Sequence, residues 1–401
     1  MLSEVSHGWP LVTLASLARV KRGASPRPIQ DPKWFSDQGH GWVRISDVTA
    51  SDRVLLRTTQ YLSDIGRAAS VEIVPGDLIM SICATIGRPL FSGIHACIHD
   101  GFVAFKEIDR SRLDPDYLYF FLQGQTQHFE AQSQPGTQRN LNSSLVATTE
   151  IPLPPIDEQR RIAEVLRSVD EAIEAADALA QQAQTLWHSL TESLIWQLQT
   201  DSPASVRPLG NAVWASDYGV NAPLGNEPIG YAVLRMGNLQ DGWIDRTDLK
   251  WGEIADREAH ALALEVGDIL FNRTNSRDLV GKVALVREPT NDLYASYIVR
   301  LRINRDVADP HYLFAVMHSR RAQAQFKSIA TPGVSQSNIN PTNLKKQLIP
   351  LPSLSEQQEI SAQLQAVEGA RRSALKELAA VRRIKADLIS DLLSGRVRVP
   401  A

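Results

Sequence analysis

The side chains in this sequence that could do covalent or metal chemistry are few, and their spacing does not favour it. His95 and His99 stand four residues apart, the separation at which two imidazoles share a metal on a helix face. No helical pattern surrounds them and no third ligand accompanies them, so a zinc site is not expected. His40, His311 and His318 also lack metal spacing. Asp77 and Asp268 each follow a glycine at a turn. Either could serve as a nuclease acid, but an aspartate in that place far more often bonds the turn amides. The two cysteines, Cys83 and Cys97, are too few for a disulfide framework or a four-ligand zinc site and read as indifferent thiols in a reducing compartment. The sequence contains no Gly-x-x-x-x-Gly-Lys-Ser/Thr, no Gly-x-Gly-x-x-Gly and no Asn/Asp-Pro-Pro-Tyr/Phe. Phosphate-cradling and amino-methylating active sites are therefore not expected.

The sequence offers instead short clusters of hydrogen-bonding side chains, and a duplicated scaffold must position them. Ile151-Pro-Leu-Pro-Pro-Ile-Asp-Glu-Gln159 recurs as Ile349-Pro-Leu-Pro-Ser-Leu-Ser-Glu-Gln357, an offset of 198. The same offset relates Gln138-Arg-Asn-Leu-Asn142 to Gln336-Ser-Asn-Ile-Asn340 and Pro10-Leu11 to Pro208-Leu209. Between these anchors the offset drifts. Arg44 pairs with Arg235, and the Asp77 turn with the Asp268 turn, at 191, and Asp114-Pro115 pairs with Asp309-Pro310 at 195. Ends in fixed register around a middle that gains and loses residues suit long helices attached to globular units with variable loops.

After each Ile-Pro-Leu-Pro a long helix is predicted. The prolines block helix upstream, Asp157 or Ser355 can cap it, and Ser355 with Gln358 fits a capping box. In the first helix Ile162, Leu166, Val169, Ile173, Ala176, Ala180, Ala183, Trp187, Leu190 and Leu194 follow alternating steps of four and three, a coiled-coil seam. Adding 198 gives a second seam that is apolar except at Arg371 and Lys385, where it is expected to shift to neighbours such as Ile384. Residues 156–205 carry three Lys/Arg and nine Asp/Glu, and residues 354–401 carry eight and six. Opposite net signs favour pairing of the two helices with each other as an intramolecular coiled coil. The first helix should end in the linker at 199–203, and the second at Gly395.

The boundaries that follow are 1–155 and 206–353 for two mixed α/β (α+β) units in tandem, with 156–205 and 354–401 as their helices. Strands are predicted at Gly41–Ile45, Asp77–Met80 and Gly101–Phe105, then at Tyr231–Arg235, Asp268–Phe271, Lys282–Val286 and Ser296–Arg302. Helices should follow Asp114-Pro115 through Gln123 and Asp309-Pro310 through Phe326. Apolar content is 43% and charged content 22%, ordinary for a soluble globular chain. No run of about eighteen apolar residues and no secretory leader is seen, so a cytoplasmic location is expected. The net charge of −3 is close to balanced in both globular units. Neither is a basic surface that binds nucleic acid by charge alone.

The paired Ile-Pro-Leu-Pro…Glu-Gln entries into long helices, the divergent α/β units between them and the terminal Asp391-Leu-Leu-Ser-Gly-Arg-Val397 resemble the DNA-specificity subunits of type I restriction-modification systems. The resemblance covers the whole chain. It implies two target recognition domains, each reading one half of a bipartite double-stranded DNA site, with the helices packed antiparallel as a spacer in a pseudo-two-fold arrangement. It also implies two modification subunits that supply S-adenosylmethionine-dependent adenine methylation, and restriction subunits that supply ATP- and Mg-dependent translocation and cleavage. None of that catalysis, and no cofactor, is expected on this chain. A self-contained methyltransferase or nuclease and a protein-only coiled-coil scaffold are the alternatives.

Arg, Asn, Gln, Ser and Thr on loops can reach base edges in a groove. In the first unit the candidates are Lys21 and Arg22, Ser81 with Thr85 and Arg88, and Gln138 with Arg139. In the second they are Asn272, Arg273, Asn275, Ser276 and Arg277, with Gln336 beside Ser335 and Ser337. Lys21 and Arg22 look like phosphate contacts, which position without specifying. Asn140, Asn142, Asn338 and Asn340 occur in both halves, whereas readers of different half-sites should differ. Those four are expected to bond their own backbone.

Overall fold

The computed structural model describes residues 8–133, 140–198, 205–333 and 336–399. It divides into two compact units, Met1–Ala175 with Glu377–Ala401, and Ala176–Lys376. The central helix (Ile156–Thr191) and the C-terminal helix (Leu354–Ser394) each contribute one stretch to each unit.

In the first unit a five-stranded sheet runs in the order Arg19–Arg22, Phe102–Lys106, Leu78–Ser81, Pro89–Ser92, Val54–Leu55. Leu78, Met80, Val103 and Phe105 face a core shared with the helix Pro115–Gly124. Ile79, Phe102 and Ala104 face a second core with Val43 and Ile98 of another five-stranded sheet. Covered on both faces, the Leu78–Ser81 strand has to be apolar nearly throughout, which is why it reads as a run rather than an alternation. The second unit repeats the plan in a four-stranded sheet ordered Val213–Tyr218, Ile298–Ile303, Ile269–Asn272, Val283–Leu285. Ile269 and Phe271 face one core, Leu270 the other.

The smaller sheets also correspond. His40–Val43 runs parallel to Ala96–Ile98, as Tyr231–Leu234 does to Leu293–Tyr294. The matched arginines follow these strands. The Arg44 amide donates to Asp47 Oδ2 at 2.8 Å and the Arg235 amide to Asn238 Oδ1 at 2.7 Å. The first predicted strand is thus shorter than expected, because Ile45–Thr49 is already helical.

The repeat is displaced at its start. Leu14 donates its amide to Thr149 O at 3.0 Å, and Leu209 donates to Gln347 O at 2.8 Å. Each is fully buried and opens a short 3-10 helix. Leu14, not Leu11, is therefore the counterpart of Leu209, and the shared Pro-Leu at 10–11 and 208–209 is a coincidence of sequence. Fixed register at 198 holds only from the Asn-x-Asn segment onward.

The Ile-Pro-Leu-Pro…Gln motif is a mount between each unit's sheet-packing helix and its long helix. Asp114 and Asp309 cap the helices they precede, Asp114 Oδ1 accepting from the Asp116 amide at 2.9 Å and Asp309 Oδ1 from the Tyr312 amide at 2.8 Å. Gln159 is fully buried. Its Oε1 accepts from the Asp114 amide at 2.9 Å, and its Nε2 donates to Arg112 O and Pro154 O, both at 2.8 Å. Gln357 makes the same three bonds, from the Asp309 amide at 3.0 Å and to Val307 O and Pro352 O at 3.0 and 2.8 Å. Tyr117 and Tyr312 donate their hydroxyls to the motif carbonyls Pro152 O and Pro350 O, at 2.8 and 3.1 Å.

The predicted seam lies inside. Ile162, Leu166, Ala176, Ala180 and Trp187 are buried on the central helix, and Leu364, Ala374, Leu378 and Leu392 on the C-terminal one. The seam does not shift at its polar positions, for Ile384 is 51% exposed. The polar residues stay and find partners. In the first unit Lys385 Nζ lies 2.5 Å from Asp170 Oδ1, and Arg398 grips Glu158 at 2.5 and 2.6 Å. Within that unit the two helical stretches therefore run antiparallel. In the second unit the fully buried Arg371 donates to Gln184 Oε1 at 2.8 Å, to Asp241 O at 3.0 Å and to the Asp241 carboxylate.

Caps and breaks differ in detail from the expectation. Ser353 caps the C-terminal helix with Glu356 as its box partner, the serine hydroxyl donating to Glu356 Oε2 at 2.5 Å. Ser355 is already inside the helix. The central helix begins at Ile156, so Asp157 lies in its first turn, where a carboxylate suits the positive end of the dipole. The predicted helix through Phe326 is two, Pro310–His318 and Arg320–Ser328, broken at the capping Ser319. Trp196, in a π turn after the central helix, donates Nε1 to Ser319 Oγ at 2.9 Å. The C-terminal helix ends as expected at Gly395, with φ of 73°. The linker expected at 199–203 lies outside the described residues.

Candidate nucleic-acid interface

The clusters that are separate in sequence meet in space. In the second unit Thr274–Asn275 forms an antiparallel ladder with Ser337–Asn338, which also pairs with Thr331–Pro332. The Ile339 amide donates to Arg273 O at 2.8 Å. In the first unit the Leu141 amide donates to Ile82 O, also at 2.8 Å, and Cys83 bridges to Asn140. In both units the chain leaving the Gly-Asp strand is therefore tied to the chain entering the Asn-x-Asn segment. Arg273 occupies the place of Ile82.

Several candidates hold these loops in place. Ser81 is fully buried; its Oγ donates to Thr85 O and accepts from the Arg88 amide at 3.3 Å. Asn272 stands at the matching strand end and is equally buried. Asn275 is buried and its Oδ1 accepts from the Ser276 amide at 2.8 Å. Ser81 and Asn272 have no exposed surface and Asn275 keeps only 7%, so in this conformation all three are closed off, and the Asn272 side-chain amide has no hydrogen-bond partner among the described residues. Arg88 is half-buried, donating Nη2 to Ser51 O at 2.7 Å, and Thr85 beside it is half-buried too.

The outward-facing candidates are Lys21, Arg22, Ser276, Arg277 and Gln336, all exposed, with Arg273 half-buried. Lys21 and Arg22 lie on the edge strand Arg19–Arg22, and Arg22 Nε donates to Asp100 O at 2.9 Å. Arg22 also borders a groove of about 690 Å³ lined by Gln132, Asn140, Asn142 and Ser144 together with Leu141 and Leu145. Gln138 and Arg139 lie outside the described residues. Asn142 and Asn340 cap short helices, accepting from the Ser144 amide at 3.0 Å and the Thr342 amide at 2.8 Å. Their recurrence is structural.

Arg273 sits with its guanidinium 5.0 Å from the ring centre of Tyr218, an exposed aromatic at the end of the edge strand Val213–Tyr218. Sequence reasoning missed Tyr218. The available signal was the alternation of Trp214, Ser216 and Tyr218 along a strand with one open side.

Asp77, Asp268 and His99 bond backbone amides. The Val74 amide donates to Asp77 Oδ2 at 2.7 Å and the Glu265 amide to Asp268 Oδ2 at 2.9 Å, so both aspartates close turns. Burial raises the Asp268 carboxyl above its ordinary range. His99 Nδ1 accepts from the Gly101 amide at 2.9 Å, and burial with nearby Arg44 lowers its pKa. Among the described residues no group of three or more His, Cys, Asp or Glu could hold a metal ion. Cys97 is buried and its thiol is pushed up to about 11, unsuited to nucleophilic work.

The family model of the type I restriction modification DNA specificity domain matches residues 7–183 and 224–379. The chain belongs to this family. A putative type I restriction enzyme MjaX specificity subunit of Methanocaldococcus jannaschii is similar at 31% identity over 194 residues, 48% of this chain and 46% of that one. The chain thus spans less than half the length of that relative. The EcoKI specificity subunit of Escherichia coli strain K12 is 22% identical over 395 residues, covering 89% of this chain and 81% of its own. The S subunit of a type I restriction-modification system from M. genitalium has a similar fold, with a TM-score of 0.62 at 15% identity over 97% of this chain and 96% of that one. The matched domain is by its description one of DNA specificity. Among the described residues no helix is long and apolar enough to cross a membrane.

Proposed function

We propose that this chain reads a bipartite, asymmetric sequence in double-stranded DNA as the specificity subunit of a type I restriction-modification complex. Residues 1–155 and 206–353 each read one half-site, and 156–205 with 354–401 form the coiled-coil spacer. One observation carries the reading. The two units tie equivalent loops together by the same backbone bonds, yet place unlike side chains there, Ile82 in one and Arg273 in the other. The same frame carrying different side chains, a buried aliphatic in one unit and a half-buried arginine in the other, is what two readers of different sequences require.

The readers in the second unit are Arg273, Ser276, Arg277 and Gln336. In the first they are Arg22, Thr85 and Arg88, with Lys21 on phosphate and with Gln138 and Arg139. The chain works in the cytoplasm and holds no cofactor. Two modification subunits bring S-adenosylmethionine and methylate adenine, and restriction subunits bring ATP and Mg. Near-balanced charge supports this division, since affinity for phosphate is then shared with the partners.

The test maps methylated adenine by long-read sequencing in cells carrying the chain with its partners. Arg273→Ala should relax one position of one half-site, lowering discrimination there by roughly 5- to 150-fold, the value of a bidentate arginine–base contact. The other half-site should not change. An unaltered motif at unaltered methylation level sinks the assignment of Arg273.

A further inference from the structure

We infer that Tyr218 is a positioning residue for base recognition. Its ring holds the Arg273 guanidinium in the orientation that reads one base of the second unit's half-site. The inference rests on the DNA-reading role proposed above and goes beyond it by adding a residue and a division of labour between the units.

In the second unit Tyr218 pairs across the sheet with Val299, and Val299 with Phe271. In the first unit Arg22 pairs with Val103, and Val103 with Met80. Phe271 and Met80 each stand three residues after the turn aspartate of their strand. Tyr218 and Arg22 therefore occupy the same place in the two units, at the end of the edge strand beside the tied loops. The neighbouring loop position is Arg273 in the second unit and the buried Ile82 in the first. So the first unit has arginine on the edge strand and an aliphatic residue on the loop. The second unit has an aromatic residue on the edge strand and arginine on the loop.

The exchange changes what the arginine can do. Arg22 is exposed and its Nε is spent on Asp100 O. Arg273 is half-buried and its backbone is fixed on both sides, the amide donating to Tyr297 O at 3.1 Å and the carbonyl accepting from Ile339. Among the described residues it has no ion pair, and Asp217, next to Tyr218 in sequence, pairs with Arg300 and Arg302 instead. Its one aromatic contact among the described residues is the Tyr218 ring, itself 51% exposed. A guanidinium over an aromatic face keeps its outer N–H groups free in one plane, the geometry that bidentate recognition of the guanine O6 and N7 acceptors needs.

The experiment uses the reconstituted modification complex with the full chain. It measures methylation rates on duplexes that carry the mapped target and on single-base variants across both half-sites. Tyr218→Ala should lower discrimination by about 2- to 5-fold, at the base position that Arg273→Ala affects and nowhere in the other half-site. Tyr218→Phe keeps the ring face and should retain the parent's preference. In the Arg273→Ala background Tyr218→Ala should add nothing, since the two act as one unit. Preserved methylation dependence on the other half-site shows that each variant is folded. The inference is overturned if Tyr218→Ala leaves every base preference intact while Arg273→Ala changes one, or if Tyr218→Phe is as damaging as Tyr218→Ala. If the unmutated complex shows no bipartite target at all, the DNA-reading role itself fails and takes this inference with it.

Discussion

Replacing Gln159 tests why the Ile-Pro-Leu-Pro…Gln motif occurs twice. The side chain is fully buried and satisfies three backbone groups, the Asp114 amide and the carbonyls of Arg112 and Pro154. In Gln159→Ala all three lose that partner where water has little access. A buried donor left unpaired costs about 1–3 kcal/mol, and the vacated volume adds to this, so a loss of about 3 kcal/mol is expected. For a unit of this size that is a fall of roughly 6–12 °C in Tm. Gln159→Glu keeps the shape but removes both donors and sets a carboxylate against two carbonyls. It should be at least as damaging. Asp157→Ala, two residues away with its side chain 75% exposed, should change stability by less than about 0.5 kcal/mol. Thermal and urea unfolding of the full chain measure all three. If both Gln159 variants stay within about 1 kcal/mol of the parent, the motif is not retained for this clamp and the reasoning is wrong.

Two further predictions concern the helices. Lys385→Glu sets like charges beside Asp170 in a setting where the original side chains are 15% and 21% exposed. It should destabilise the first unit by about 2 kcal/mol, and adding Asp170→Lys should recover at least half of that in urea unfolding. His188 has its pKa lowered to about 4, first by burial and then by Arg320, His318 and Arg371. The unfolded chain takes up this proton near 6.5 and the folded one only near 4, so the second unit should lose stability as pH falls between those values. His188→Gln should flatten that slope in unfolding measured across the range.

The sequence made the regular parts of this fold legible and left the long-range ones hidden. The seam positions, the Asp-Pro caps at 114 and 309 and the turn aspartates at 77 and 268 each follow from local chemistry within a few residues. The shift expected at Arg371 and Lys385 does not occur because their partners, Asp241 and Asp170, lie far away in sequence. Ser81 and Asn272 looked like readers because a polar residue at a strand end is usually exposed. Here the chain from the Asn-x-Asn segment folds over that end. Tyr218 went unnoticed because its meaning comes from Arg273 on another strand and from Arg22 in the other unit. The Pro-Leu pair at residues 10–11 misled for the opposite reason: identity of sequence stood in for equivalence of place.

The glutamine mounts have a consequence for inheritance. Each fastens its unit by bonds from a glutamine and a tyrosine side chain to main-chain amides and carbonyls, with a capping aspartate beside them. The fastening therefore carries no record of what the loops recognise. Mutation can rewrite a loop without loosening the fastening. A segment exchanged between two such genes, with breakpoints near the motif, would bring a new recognition unit already furnished with the fittings its helix expects.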